Sequence, residues 1–243
     1  MKSPSFGSNQ YWESRFTKEP RSYDWLTSPD LLVSPLCHAL DHYTSSASGA
    51  DNPPLILHIG CGTSGLSNLL RRYVSPFTIL NVDFSQRAIE LGRQREVEEY
   101  GFSETAQESM SWAIADLLSW PSVQSCLQVF HERNVPPTAA KIEGDSMPIA
   151  MNSKFYIVIE KSTADAIACG DDVRIPIPYD VLSTGAKMSE VDGHTDYIHP
   201  VRLLAIHLAA AVQSGGYLIA LSYSETRFDC LFNDGDEDDT MLQ

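Results

Sequence analysis

The sequence predicts an α/β fold, doubly wound around a mostly parallel sheet, and three observations carry that prediction. Short apolar runs alternate with amphipathic stretches of helical length along residues 55–224. Several of those runs end in glycine or an acid, as at Gly60, Asp83, Asp116 and Glu160. Helix start and stop signals fall between them, such as Ser85 before one amphipathic stretch and Gly101 after it. Strands that alternate with helices form a parallel sheet covered on both faces, and such strands read as continuous apolar runs.

The first apolar run is "LILHIG" (55–60), a buried strand, followed by a helix over "SGLSNLLRRYV" (64–74). "FTILNVDFS" (77–85) is the second strand and "SQRAIELGRQREVEEYG" (85–101) the second helix. A third strand lies within "SMSWAIADLLSW" (109–120), and "FYIVIEKS" (155–162) is the fourth. "PVRLLAIHLAAAVQSGG" (200–216) reads as a helix with proline at its start and glycines past its end. "GYLIALSYS" (216–224) is the fifth strand. Before this repeat, residues 1–30 are polar but hold six aromatic rings, too many for a disordered tail, so the segment is expected to dock. "DLLVSPLCHALDHY" (30–43) is a helix that Pro35 is expected to interrupt. Three regions result: 1–43, an aromatic and helical N-terminal segment; 44–227, the α/β domain; and 228–243, an acidic tail. Insertions at 121–154 and 170–199 are long enough to suggest lids or binding loops.

Composition narrows the function. The net charge is −15, part of it in "NDGDEDDT" (233–240). Nucleic-acid affinity comes largely from Lys and Arg on phosphates, so direct nucleic-acid binding is not expected, whereas a basic protein partner is. The five cysteines are an odd number, widely spaced and without zinc or redox spacing, which fits free thiols in a reducing compartment. Of the seven histidines only His38 and His42 stand at H-x-x-x-H spacing, without the glutamate of an H-E-x-x-H motif, and no metal is expected. No run approaches a membrane span, and "MKSPSFGSNQYWESRF" lacks the apolar centre of a signal peptide. A soluble protein of the cytoplasm, and also of the nucleus, is expected.

Ligands of such sheets bind beyond the carboxyl ends of the strands. Gly60-Cys61-Gly62-Thr63 stands there after the first strand, with Asp83 at the end of the second. An acid at that place accepts hydrogen bonds from both ribose hydroxyls. Asp116 ends the third strand, within reach of an adenine edge, and Glu160 and Lys161 end the fourth. With Gly65 the loop also satisfies the bare G-x-G-x-x-G pattern, which leaves a dinucleotide reading open. The acids on two successive strand ends favour a single nucleoside.

"ILHIGCGTSGLS", "ILNVDFS", "AIADLL", "FYIVIEKSTADAI" and "GGYLIALSYSETR" resemble the successive motifs of class I S-adenosylmethionine (SAM) methyltransferases. "QYWESRF", "YDWL" and "IEKSTADAI" are similar, more narrowly, to the subgroup related to the elongation factor 1-alpha lysine methyltransferases, in a fungal-type form. The resemblance covers roughly residues 10–227 and implies the Rossmann-like fold of those enzymes. It implies that Gly60, Cys61 and Gly62 wrap the methionine part of SAM, that Asp83 holds the ribose, and that Phe84 lies beside the adenine. Asp116 and Leu117 meet the adenine edge, and Glu160 and Lys161 lie near the sulfonium. Trp12, Phe16 and Trp25 form a lid, with Arg15 near the cofactor carboxylate. Glu160 or Asp165 orients the acceptor amine, although Asp165 also suits a helix cap. The implied activity is SAM-dependent methylation of a protein lysine, leaving S-adenosylhomocysteine (SAH). A small-molecule acceptor, or a SAM-binding regulatory subunit beside another methyltransferase, is the alternative. Phe16 replaces the usual Tyr, and Ser162 and Ala164 replace Gly and Leu of that subgroup's EKGTLDAL. The fold normally continues past the fifth strand with a helix and an antiparallel strand pair. Only about twenty residues follow here, so the sheet is expected to lack those strands and to expose an edge able to pair with another chain.

Overall fold

The computed structural model describes residues 4–22, 24–46, 53–102, 108–134, 154–177, 179, 181 and 195–229. Along the chain run α1 (Asn9–Lys18), α2 (Val33–Ser45), β1 (Ile56–Ile59), α3 (Leu66–Leu70), β2 (Ile79–Asp83), α4 (Gln86–Tyr100) and β3 (Ser111–Ile114). There follow α5 (Trp120–Asn134), β4 (Phe155–Lys161), α6 (Thr163–Ile167), β5 (Val173–Pro176), β6 (Thr195–Ile198), α7 (Pro200–Ala211) and β7 (Val212–Leu221). The main sheet has strand order β3-β2-β1-β4-β7, with every pairing parallel. The five strands expected from the sequence are these five, and the doubly wound fold is as predicted.

Two apolar layers hold the sheet. Leu36 and Ala39 of α2, Leu66 and Leu70 of α3 and Ile89 of α4 pack on Ile56, Ile79, Ile157 and Ile159. Val123 and Phe130 of α5 and Leu204 and Leu208 of α7 pack on Leu57, Leu80, Val82 and Val158. The alternation along β1 and β2 sends successive side chains to opposite helical layers, which is why these runs contain hardly any exposed position. Burying one such Leu or Ile side chain contributes roughly 1.5–3 kcal/mol.

Local signals explain most boundaries. Ser85 Oγ accepts the Ala88 N–H at 3.1 Å and caps α4, and Gly101, at φ +85°, ends it. Pro35 does not interrupt α2. It sits in the first turn, where backbone N–H groups have no intrahelical partner to lose. The predicted helix over 200–216 stops at Ala211, and β7 already begins at Val212. Its register against β4 shifts between Phe155↔Val212 and Ile157↔Tyr217, and Gly215, at φ +77°, accommodates the irregularity. The insertion at 121–154 begins as α5, and the one at 170–199 contains the antiparallel pair β5–β6. The acidic tail lies outside the described residues.

The two sheet edges differ. Arginines take carbonyls at β3 and just before it: Arg93 donates to Trp112 O of the strand at 2.6 Å, and Arg71 and Arg133 to Glu108 O at 2.7 Å and Met110 O at 3.1 Å in the approach to it. Guanidiniums on an edge strand block further pairing. β7 pairs only with β4 among the described residues, and Leu218 on it is exposed. No helix among the described residues is long and apolar enough to cross a membrane.

Candidate cofactor site

The strand order turns outward in both directions from β1, to β2 on one side and β4 on the other. That reversal opens a crevice above the carboxyl ends of the strands. A cavity of about 290 Å³ lies there, lined by the loop Gly60–Ser64, Asp83 and Phe84 at the end of β2, Ala115–Leu118 after β3, and Lys161–Thr163 at the end of β4.

The glycine loop is built for close approach. Gly60 has φ +55° and Gly62 φ +49°, a region that favours glycine. A Cβ on Gly60 would collide with the Thr163 side chain, whose hydroxyl donates to Ile59 O at 3.1 Å. A Cβ on Gly65 would meet only Asp24 Oδ2, at 3.8 Å. The third glycine of a dinucleotide fingerprint is needed for helix–strand packing. Gly65 carries no such constraint, so the G-x-G-x-x-G match lacks the physical content of that pattern. Cys61 is buried beneath the loop, and burial, with Asp83 nearby, pushes its thiol well above the usual range. It is a packing residue, not a thiolate.

Asp83 ties this loop to β2. Its Oδ2 accepts Gly62 N–H at 2.8 Å and its Oδ1 accepts Ser85 N–H at 2.8 Å. Burial pushes its carboxyl up to about 6, against the lowering effect of those two bonds. Asp116 is exposed at the cavity rim, and its Oδ1 accepts Leu118 N–H at 2.9 Å. The neighbouring Leu117 carbonyl meets His207 Nδ1 at 2.7 Å, and His207 Nε2 meets the Tyr179 hydroxyl at 2.6 Å.

The N-terminal segment roofs the cavity with Phe6, Trp12, Phe16 and Trp25. Trp12 stacks on Phe16 with centroids 5.5 Å apart, and Phe6 meets Trp25 edge-on at 4.7 Å. α1 rests on α4 through Ala88 and Leu91. Polar ties fix the roof at three places. Asn9 donates to Phe84 O at 2.7 Å. Arg95 bridges Thr63 O at 2.7 Å and Pro20 O at 2.6 Å. Lys161 Nζ donates to Trp25 O at 2.6 Å and lies 3.4 Å from Asp24 Oδ1, with its side chain 3% exposed.

The chain is similar to a fungal methyltransferase. It is 33% identical over 172 residues to Methyltransferase srdJ of Neurospora crassa, an alignment that covers 70% of this chain and 57% of that relative. The chain thus spans little more than half the length of that relative. No protein-family model matches it. Among solved structures it is similar to the magnesium protoporphyrin IX methyltransferase ChlM of Synechocystis PCC 6803 with bound SAM, at 12% identity and a TM-score of 0.46, over 94% of this chain and 83% of that one. It is also similar to the plantazolicin methyltransferase BamL, solved with a triazolic desmethylPZN analogue and SAH, at 13% identity and a TM-score of 0.32, over 70% of this chain and 54% of that one.

Of the residues singled out from the sequence, Trp12, Phe16, Trp25, Gly60, Cys61, Gly62, Asp83, Phe84, Asp116, Leu117 and Lys161 line the one cavity. Arg15, Glu160 and Asp165 do not. Arg15 pairs with Glu19 at 3.2 Å along α1. Glu160 caps α6: its Oε2 accepts Thr163 N–H at 2.7 Å and Ala164 N–H at 3.4 Å. Asp165, expected as a cap or catalytic group, instead accepts Ser222 Oγ at 2.6 Å, Tyr223 N–H at 2.8 Å and Arg227 Nε at 3.0 Å. Its carboxylate is committed to the segment after β7. Asp24 is the residue that sequence reasoning missed: it accepts Ser64 Oγ at 2.6 Å and faces Lys161. It stands in "YDWL", directly before Trp25.

Proposed function

We propose that this chain is a SAM-dependent methyltransferase whose acceptor is a lysine amine of a basic protein. The observation that carries the cofactor assignment is the cavity at the strand-order reversal, floored by the Gly60–Gly62 loop, bounded by buried Asp83 and roofed by aromatic rings. The residues present fit the cofactor. Asp83 keeps lone pairs for ribose hydroxyls beyond its two backbone bonds, Thr63 Oγ1 is buried without a partner among the described residues, and the rings suit a sulfonium. When bound, SAM supplies a methyl group already activated on sulfur. The chain's own part is to hold, orient and exclude water. Trp12 and Phe16 shut the cavity on the side of α1, and Lys161 keeps Trp25 over it.

Ala166 and Ile167 of α6 form an apolar stretch of the wall. An amine entering along such a wall is desolvated, which lowers its pKa and frees the lone pair that attacks the methyl group. The net charge of −15 supports a basic protein as the acceptor's carrier, as does the likeness of "IEKSTADAI" to the elongation factor 1-alpha lysine methyltransferases. Calorimetry with SAM tests the cofactor: binding by the wild type and its loss in Asp83→Ala are expected, and no wild-type binding would sink the reading. Methyl-labelled SAM with cell lysate then tests the acceptor. Label in a protein band supports the lysine reading; label in the small-molecule fraction, or none despite bound SAM, overturns it.

A further inference from the structure

Ser162, in the turn between β4 and α6, combines three features that seldom coincide at a structural residue. Its backbone is left-handed, at φ +63° and ψ +12°, a conformation that a residue with a Cβ rarely adopts. It lines the cavity. Its hydroxyl is buried, with the residue 7% exposed, and has no hydrogen-bond partner among the described residues. Strain at a non-glycine residue persists where the surroundings enforce it, and it clusters at ligand sites. A buried hydroxyl without a partner is a second cost. Glycine would remove both. The left-handed turn would be relaxed, and Glu160 Oε2 would still cap α6 through the N–H groups of Thr163 and Ala164.

The sheet order says which part of a ligand this hydroxyl meets. Asp83 ends β2 and Asp116 follows β3, whereas Ser162 follows β4, on the far side of β1. Neighbouring strands are about 4.8 Å apart, so Ser162 stands roughly 10 Å along the sheet from Asp83. A nucleoside held by the acids at the ends of β2 and β3 would have the β1 loop and the β4 turn left for its 5′ substituent. Thr63, on that loop, is the other cavity-lining residue with a buried hydroxyl lacking a partner among the described residues. Two hydroxyls without partners among the described residues thus stand on the β1 and β4 turns, away from the acids at the ends of β2 and β3.

We propose that Ser162 is a positioning residue for the amino-acid tail of the cofactor, its hydroxyl completing its hydrogen bonding on that tail together with Thr63. The proposal rests on the SAM reading of the cavity. Its signature is a change that stabilises the protein while weakening only a ligand that carries the tail.

The test compares two ligands by calorimetry: SAH, and 5′-deoxy-5′-methylthioadenosine, which has the nucleoside and the sulfur but no amino-acid tail. In Ser162→Gly and in Ser162→Ala, SAH affinity is expected to fall by about fivefold to tenfold, the effect of losing one neutral hydrogen bond. Affinity for methylthioadenosine is expected to stay within about twofold of the wild type. The melting temperature of the unliganded glycine variant is expected to rise by about 2–4 °C. Ser162→Ala removes the hydroxyl but keeps the Cβ and its strain, so it separates ligand contact from backbone relaxation. Unchanged SAH affinity in both variants overturns the proposal, and so does an equal loss for both ligands. Failure of the wild type to bind either ligand overturns the SAM reading itself, a result distinct from both.

Discussion

Arg227 Nε donates to Asp165 Oδ1 at 3.0 Å, an ion pair across 62 positions that fastens the segment after β7 to α6. The same carboxylate accepts from Ser222 Oγ and from the Tyr223 N–H. Three donors on one half-buried carboxylate make Asp165 a clamp, not a free base. α6 forms part of the cavity wall, through Ala166 and Ile167, so the clamp acts on the site only through the placement of that wall.

Asp165→Ala is expected to destabilise the protein by about 1 kcal/mol, since it removes an ion pair and two hydrogen bonds at a partly exposed site. SAM affinity of the folded fraction is expected to change by less than about threefold, because no atom of Asp165 lines the cavity. Urea unfolding and calorimetry measure the two quantities separately. A large loss of affinity with unchanged stability would return Asp165 to the site.

Lys161 has a different task. Its ammonium is the tie between β4 and the aromatic roof, through Trp25 O and Asp24. Lys161→Met keeps the buried stem and deletes the charge. A hydrogen bond from a charged donor contributes roughly 1.5–3 kcal/mol. The variant is therefore expected to show faster amide hydrogen exchange in α1 and SAM affinity about tenfold weaker, while the strands exchange as in the wild type. Equal exchange in α1 would mean that the apolar contacts of Trp12 and Phe16, with the ties of Asn9 and Arg95, hold the roof without Lys161.

The glycine loop yields a paired prediction. Gly60→Ala places a Cβ against Thr163 in a backbone conformation suited to glycine, and is expected to cost more than about 2 kcal/mol. Gly65 has φ −72°, and a Cβ there makes only an ordinary contact with Asp24 Oδ2, so Gly65→Ala is expected to stay within about 0.5 kcal/mol of the wild type. SAM binding should follow the same division. If Gly65→Ala were as damaging as Gly60→Ala, the dinucleotide pattern would regain its physical basis.

What could be read from the sequence divides along a physical line. The five parallel strands were legible because burial on both faces leaves an unbroken apolar run, and α4 because Ser85 and Gly101 cap it locally. Asp83 was legible as the end of the second strand, and the fold sets its carboxylate on the Gly62 and Ser85 N–H groups beside the cavity. The start of β7 was not legible: "AAAVQSGG" suits a helix end as well as a strand start, and pairing with β4 decides between them. Glu160 and Asp165 could not be told apart for a similar reason. Both are close enough in sequence to cap α6, and only the fold brings Arg227 to one of them. The strain at Ser162 is likewise a property of the closed turn and not of its residue type.

Glu160 provides the pH prediction. It is 1% exposed, its Oε2 caps α6, and its Oε1 has no partner among the described residues. Burial raises its carboxyl from 4.5 to about 7, despite the two backbone bonds. In the unfolded chain it loses its proton near the ordinary value. Between about pH 4.5 and pH 7 the native state therefore binds more protons than the unfolded state, and this group lowers stability as pH rises through that window. Glu160→Gln keeps a carbonyl oxygen for the Thr163 and Ala164 N–H groups and removes the titration. The variant is expected to match the wild type at pH 4 and to exceed its stability above pH 7, by on the order of 2 kcal/mol. Urea unfolding of both proteins from pH 4 to pH 8 measures the difference. A gap that stays constant with pH would show that the Glu160 carboxyl titrates alike in the native and the unfolded protein.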